Sequence, residues 1–411
     1  MWLSLSVVAG VSMWGYVTHI WAFGQPAHFS DLYAPWWGAH ELWLHHRDPY
    51  SLSVCREIQT TIYGSPLTGA EAGSAAERAG GFAYPLFVTF LLWPVLHLRF
   101  MMVQALFAVL FPAMVVLSLR LWLFAMNWRV QSSQFAVLAI FLLGSFPVLQ
   151  GLWLQNLSLL VAFLIAGAVA SIAANRLLLG GCLLGLAAIK PHFVFMLVLW
   201  LALWAVREWK HRQGLVWGFL TTMLLLVLGS EWLSPGWVHR FVAVLHAYTR
   251  YTYGHSLLDL WFTSRIAPFV SAVLMVLVLA LCWRLRECAA QTPKFVLACS
   301  LVLATTLVVI PTLEPHAQLM LLPGFLLALQ QRGASCLNYR LARLLVFVLW
   351  ITLGWTWVAA AGLGVASPWL PSPVPQNLWI VPLAPSPVIP LEMCLLLAVF
   401  TVEGTGLTGE R

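Results

Sequence analysis

Apolar stretches recur along almost the whole chain, around residues 2–23, 82–98, 100–124, 134–149, 157–174, 177–189, 192–206, 214–230, 266–283, 295–310, 317–331, 344–362 and 388–403. Backbone that crosses hydrocarbon has no water to bond with, so each run must close its N–H and C=O groups within a helix. Several are shorter than the roughly 20 residues a perpendicular crossing takes. The fold class that follows is all-α: a single integral membrane domain over residues 1–411, a polytopic bundle of about ten to thirteen transmembrane helices with amphipathic helices in its external loops. Charge agrees, because only 9% of the residues are charged where a soluble domain carries about a quarter.

The net charge of +7 points to orientation and not to nucleic acid. Arg207, Lys210 and Arg212, then Arg284 and Arg286, then Arg332, Arg340 and Arg343 stand in short loops between apolar runs, which marks those loops as cytoplasmic. They alternate with segments 231–265, 311–316 and the Pro-rich 363–387, all poor in Lys, which are external on the same rule. The loop 24–81 balances its Arg against Asp31, Glu41, Asp48, Glu57, Glu71 and Glu77 and is external too. Counting crossings from that loop to the basic loop at 207 gives the wrong parity if every apolar run crosses; a re-entrant pair between 100 and 206 repairs it. The first run, Trp2 to Phe23, has no basic segment before it and is long enough to span, so an uncleaved first helix is expected. Of the cysteines, only Cys55 lies in a long polar loop, and Cys182, Cys282, Cys288, Cys299, Cys336 and Cys394 lie in or beside apolar segments; no disulfide framework follows.

With charge this rare, individual ionisable residues become informative. There are three aspartates, Asp31, Asp48 and Asp259, and three lysines, Lys190, Lys210 and Lys294. Asp31 follows the first run closely; a carboxylate held at the outer surface by a helix end suits a general base toward a hydroxyl, and it equally suits the N-cap of a helix over 32–46. The two readings are compatible. Asp48, before Pro49, is a turn residue or a substrate contact. His40, His45 and His46 cluster beside Glu41, but without a zinc-binding spacing, so no metal is expected. Tyr84-Pro85 opens the second run as a helix start and an interface anchor. Gln155 and Asn156 begin a further run and can cap it or bind sugar hydroxyls. Lys190 interrupts two apolar runs, where an ammonium must reach water or an anion such as a phosphate. Glu314-Pro315-His316 is another polar island, able to touch a sugar or a phosphate or to serve as a turn. The segment Glu231 to Asp259 adds Arg240 and Arg250 among Trp and Tyr residues, and Asp259 has no evident role.

The order Asp31-Leu32-Tyr33, Asp48-Pro49-Tyr50, Tyr84-Pro85, Leu154-Gln155-Asn156, Gly185-Leu186-Ala187-Ala188-Ile189-Lys190-Pro191 and Glu314-Pro315-His316 resembles glycosyltransferase family 87 over about residues 28–330. These are membrane mannosyltransferases of the GT-C superfamily that use polyprenyl-phosphate sugars. The resemblance implies a hexosyltransferase of the plasma membrane with its active site on the external side, Asp31 as the base that deprotonates the acceptor and His316 beside it. It also implies a substrate-binding set that takes in Tyr33, Asp48, Tyr84, Gln155, Asn156, Lys190 and Glu314. Arg240 and Arg250 join that set on loop placement alone. The expected partners are a lipid-linked sugar donor, a lipid or glycan acceptor and the bilayer, with no nucleic acid. No cofactor is expected, because the external segments carry few carboxylates and no Asp-x-Asp pair. The competing class is a secondary transporter or lipid flippase, which calls for an inverted repeat and midplane acids. No internal repeat is visible.

Overall fold

The computed structural model describes residues 1–25, 29–67, 80–251, 255–311, 314–332 and 340–402. Glu71, Glu77, Thr312, Leu313 and Cys336 lie outside these residues. All regular structure among the described residues is helical. The helices used below are α1 (Trp2–His19), α2 (Tyr33–His45), α3 (Leu52–Tyr63), α4 (Phe100–Ala125), α5 (Ser132–Leu143), α6 (Phe146–Leu154), α7 (Ser158–Ala173) and α8 (Leu177–Ala187). They continue as α9 (Pro191–Arg207), α10 (Trp209–Leu233), α11 (Trp237–Tyr251), α12 (Ala267–Trp283), α13 (Pro293–Val309), α14 (Leu322–Arg332), α15 (Arg340–Ala366) and α16 (Ile389–Val402).

Among the described residues, four helical stretches are long and apolar enough to cross a membrane: Trp2–Phe23, Phe100–Ala125, Trp209–Leu233 and Arg340–Trp369. A fifth is formed if α5 and α6, bent by 61° at Gly144 and Ser145, count as one. The remaining apolar helices, α7, α8, α9, α12, α13 and α16, are 10–17 residues long. The all-α polytopic bundle therefore stands, with four or five long helices accompanied by six shorter apolar ones. Of the short helices, α7 and α13 are mostly buried against protein. The exposed faces of the long helices are apolar, as on α10, where Trp217, Leu220, Leu224 and Leu228 lie on the surface. That belt suits contact with lipid.

The run 82–98 departs from expectation. It folds as the five-residue helix Val88–Leu92 followed by a 3-10 turn, Trp93–Val95. Pro85 and Pro94 stand on either side, each lacking the N–H that a continuing helix needs. With this run withdrawn, and the bent pair taken as one span, the crossings from the first loop to the basic loop at 207 come out odd. No re-entrant pair between 100 and 206 is then needed.

Helix α13 is the centre of the bundle, buried on nearly every face and packed against α9, α12, α14 and α16. Its buried Thr305 and Thr306 hydroxyls donate back to the carbonyls of Leu301 and Val302, so neither is stranded. The closest helix pair is α8 with α10. A Cβ on Gly181 would stand 2.1 Å from the Leu215 carbonyl oxygen, and one on Gly218 2.2 Å from that of Leu178. Such backbone contact is open only to glycine and is a common way for membrane helices to associate.

Gly181→Ala and Gly218→Ala should each lower stability by about 1–3 kcal/mol through overpacking. Gly214→Ala, whose Cβ would meet nothing closer than 3.6 Å, should leave it nearly unchanged. Thermal unfolding in detergent reads the difference.

Candidate functional site

The site begins where residues far apart in sequence are clipped together. Helix α6 ends with Gln155 in the left-handed conformation, φ 53°, which turns the chain sharply. At that corner the Leu154 carbonyl accepts the Asp31 backbone N–H at 2.8 Å. Gln155 accepts the Ser30 hydroxyl at 3.2 Å and donates to the Gln104 carbonyl at 2.8 Å. Asn156 donates from Nδ2 to the Asp31 carboxylate at 2.5 Å. Asp31 thus enters the site held by backbone and side chain alike.

It does not cap α2. Leu32 is the N-cap residue and makes no side-chain cap bond, so the capping half of the sequence reading is corrected: the Asp31 carboxylate is turned to Asn156 instead.

Asn156 has a fixed orientation. Its Oδ1 accepts the Ser158 backbone N–H at 2.8 Å and the Lys190 ammonium at 3.0 Å, so only the NH₂ end remains for Asp31. Lys190 stands just before Pro191, the first residue of α9, and is 6% exposed. It also donates to Ser158 Oγ at 2.8 Å and Glu314 Oε2 at 3.2 Å. An ammonium has three N–H donors, and all three are committed. His316 Nε2 shares the same Glu314 oxygen at 2.9 Å.

Asp31, Tyr84, Asn156, Lys190, Glu314 and His316 line one cavity of about 350 Å³. His192 and Tyr248 line it too and were not singled out from sequence. The signals were present, His192 following Lys190-Pro191 directly and Tyr248 lying on an amphipathic helix. Two imidazole nitrogens there, His316 Nδ1 and His192 Nε2, are buried without a hydrogen-bond partner. Burial pushes the Asp31 carboxyl above its usual range, although His316, Asn156 and Lys190 pull the other way. Glu314 differs: burial opposes its ionisation, but Lys190 and His316 outweigh it and hold the carboxyl well below the usual range. One cavity therefore holds two carboxyls shifted in opposite directions, Asp31 up and Glu314 down.

Other sequence candidates stand elsewhere. Tyr33 is buried against Phe100 and its hydroxyl meets Thr61 at 3.1 Å. Asp48 accepts the Tyr50 N–H at 3.1 Å as a turn residue and pairs with Arg240 at 3.3 Å, joining the first loop to α11. Arg250 lines a neighbouring cavity of about 510 Å³. Asp259 has a local role, its carboxylate accepting the Ser256 N–H and hydroxyl, each at 2.7 Å. His40, Glu41 and His45 bring ligand atoms within 4.8 Å of one another. Glu41 is nonetheless engaged with Arg47 at 2.6 Å, and Arg47 continues to Glu57 at 2.6 Å.

Sidedness follows from α9. Lys190 precedes its first residue and Arg207 is its last, 17 residues on, so the site and the basic loops lie about 25 Å apart along the axis. At the far end Arg207 pairs with Glu287 at 3.1 Å, and Arg212 donates to the Arg286 carbonyl at 3.0 Å. Two of the three basic loops thus meet at one end.

A polytopic helical protein with a carboxylate, an ammonium and two imidazoles around a cavity at one end of its bundle has the groups that acid–base and anion chemistry need at a membrane surface. The model of glycosyltransferase family 87 matches residues 82–311, more than half of the chain, and the chain belongs to that family. It is a membrane glycosyltransferase with a sugar donor and an acceptor as substrates. The matched interval contains Tyr84, Asn156 and Lys190; Asp31, Glu314 and His316 lie outside it. Comparisons with curated proteins and with solved structures return no match.

Lys190→Met should cost about 3 kcal/mol, the low end of the range for breaking a buried ion pair, since Glu314 keeps some contact with water. Adding Glu314→Gln should recover part of that loss. Strictly additive losses in thermal unfolding would contradict the coupling.

Proposed function

We propose that the protein transfers a hexose, with mannose the sugar the family resemblance favours, from a polyprenyl-phosphate donor to an acceptor hydroxyl at the external membrane face. Asp31 acts as general base with in-line displacement of the phosphate. The observation that carries this is the Asp31 carboxylate, fixed by Asn156, raised above its usual range and facing the cavity that also holds the cationic side chain of Lys190.

The chemistry divides by position. The acceptor hydroxyl gives its proton to Asp31 as its oxygen forms the new bond to the anomeric carbon, and the bond from that carbon to the phosphate oxygen breaks. Negative charge grows on the departing phosphate. Lys190 supplies field there but has no spare donor, so the direct contacts fall to His316 Nδ1, which donates when its ring is protonated, and to His192 Nε2, which donates as a neutral N–H because burial pushes that ring down to about 4. This needs no metal. The external location rests on the opposite-end placement of the basic loops, which the positive-inside rule makes cytoplasmic.

One observation supports a second assignment of the base. With Nε2–H held by Glu314, neutral His316 leaves Nδ1 as a lone-pair acceptor toward the cavity, the arrangement of a carboxylate-oriented imidazole base. The transporter alternative has no such support: the carboxylates of this cluster lie beyond the ends of α1, α9 and α13 and not midway along them.

Asp31→Asn should lower transfer of labelled mannose from polyprenyl-phosphate mannose in vesicles by about 10²–10⁴-fold. Full activity in a folded Asp31→Asn protein with loss in His316→Gln would assign the base to His316. A base must be deprotonated, so kcat/KM should fall as pH falls through a midpoint above the ordinary aspartate range. Asn156 donates to the carboxylate and favours it; Asn156→Leu should therefore move that midpoint further up.

A further inference from the structure

Behind Glu314 lies a second chamber of about 430 Å³, and Glu314 lines both it and the Asp31 cavity. We propose that this chamber binds an uncharged carbohydrate, the sugar end of a glycolipid acceptor. The inference rests on the transferase reading and adds to it where the acceptor lies and what charge it carries.

Charge is the first argument. Among the described residues that line the chamber none is Lys, Arg or His, and Glu314 is the one charged group. A phosphate there would face a carboxylate and meet no cationic side chain on the described wall, because Lys190, which pairs with Glu314, lines the other cavity. The Asp31 cavity differs: beside the carboxylates Asp31 and Glu314 it holds the Lys190 ammonium, with His192 and His316, to face an anion. The two chambers are sorted by electrostatics into one for an anion and one for a neutral ligand.

The walls are suited to sugar. Trp21 and Trp379 contribute indole surface, and Gln25, Gln150 and Gln318 contribute amides. Gln150 is 7% exposed and its Oε1 has no hydrogen-bond partner. A buried acceptor left in that state is destabilising, and a hydroxyl donor from a ligand relieves it. The segment bearing Trp379 is built into the fold: the Tyr16 hydroxyl donates to the Trp379 carbonyl, and Trp355 Nε1 donates to the Val381 carbonyl at 2.9 Å.

The chamber also has an apolar neighbour. A cleft of about 150 Å³ lined by Leu, Phe and Trp side chains shares Gln318 and Ser386 with it. Gln318 donates to the Ser386 carbonyl at 2.7 Å and hydroxyl at 2.9 Å, which fixes the joint between the two spaces. A chamber walled by indoles and amides beside an apolar cleft matches an amphiphile with a neutral head.

The test uses the full chain in lipid nanodiscs, free of sugar detergents, and two photoprobes: an alkyl α-mannoside and an isoprenyl phosphate, each with a diazirine next to its polar head. Saturable labelling by the mannoside of peptides containing Trp21, Gln150 or Trp379, competed by unlabelled octyl mannoside and not by isoprenyl phosphate, is the expected result. Gln150→Leu should reduce it about fivefold to tenfold, the equivalent of one hydrogen bond, with labelling by the phosphate probe unchanged. Trp379→Ala, at a half-exposed position, should weaken it similarly and guards against misfolding of the Gln150 variant. Labelling of the chamber by the phosphate probe instead, or by neither probe above a diazirine alkane, overturns the proposal. Labelling does not need turnover. Absence of transfer from every polyprenyl-phosphate sugar would sink the reaction assignment while leaving this site standing.

Discussion

The Lys190 ammonium, nearly removed from water at the mouth of an apolar bundle, is the constraint on which the site depends. Such a charge is tolerable only if each of its donors finds an oxygen. It finds Asn156, Ser158 and Glu314, in segments 34, 32 and 124 residues away. Fixing the ammonium therefore fixes three parts of the chain against one another. The consequence passes to Asp31, because Lys190 and the Ser158 N–H both occupy the Asn156 oxygen and leave its amide hydrogens for the carboxylate. Glu314 closes the circuit, ionised because Lys190 is present, and orients His316 in turn.

Helix α9 connects this circuit to the membrane. It begins beside Lys190 and ends in Arg207, so a single apolar helix separates the acid–base cluster from a cluster whose work is orientation. Charges at the far end are satisfied differently. Arg212 lies over the Trp204 ring at 3.8 Å and bonds backbone carbonyls, with Glu208 beside it at 3.0 Å. Scarcity of charge in the sequence thus becomes charge near the two ends of short helices and very little between them.

The class of fold was legible because apolar runs and Arg-rich loops are local patterns. Lys190, Asn156, Glu314 and His316 were legible as single residues, since a polar group among apolar runs is conspicuous without any knowledge of its partners. Pairings were not. Asp48 is a turn residue, as its place before Pro49 suggests, but its pairing with Arg240 had no local sign, and neither did the bonds by which Gln155 clips Ser30 to α4. Sequence periodicity says where a helix lies and not which side chain 125 residues away it meets. The run 82–98 misled for another reason: its composition was apolar enough for a crossing, but Pro85 and Pro94 removed the donors that a long helix requires.

On the proposed reading, Glu314 has a part that neither chamber alone explains. Its carboxylate is the wall between them, paired on the Asp31 side with Lys190 and His316 and unaccompanied by any cation among the described residues lining the other. A neutral residue there would leave the second chamber indifferent to charge and Lys190 short of an anion. An ionised one keeps the phosphate of the donor on the side where the imidazoles wait and leaves the other side to hydroxyl groups. Two substrates that both carry a sugar and a lipid tail are hard to tell apart by shape. The phosphate is the feature that differs most in energy, and a fixed negative charge between the chambers reads it directly.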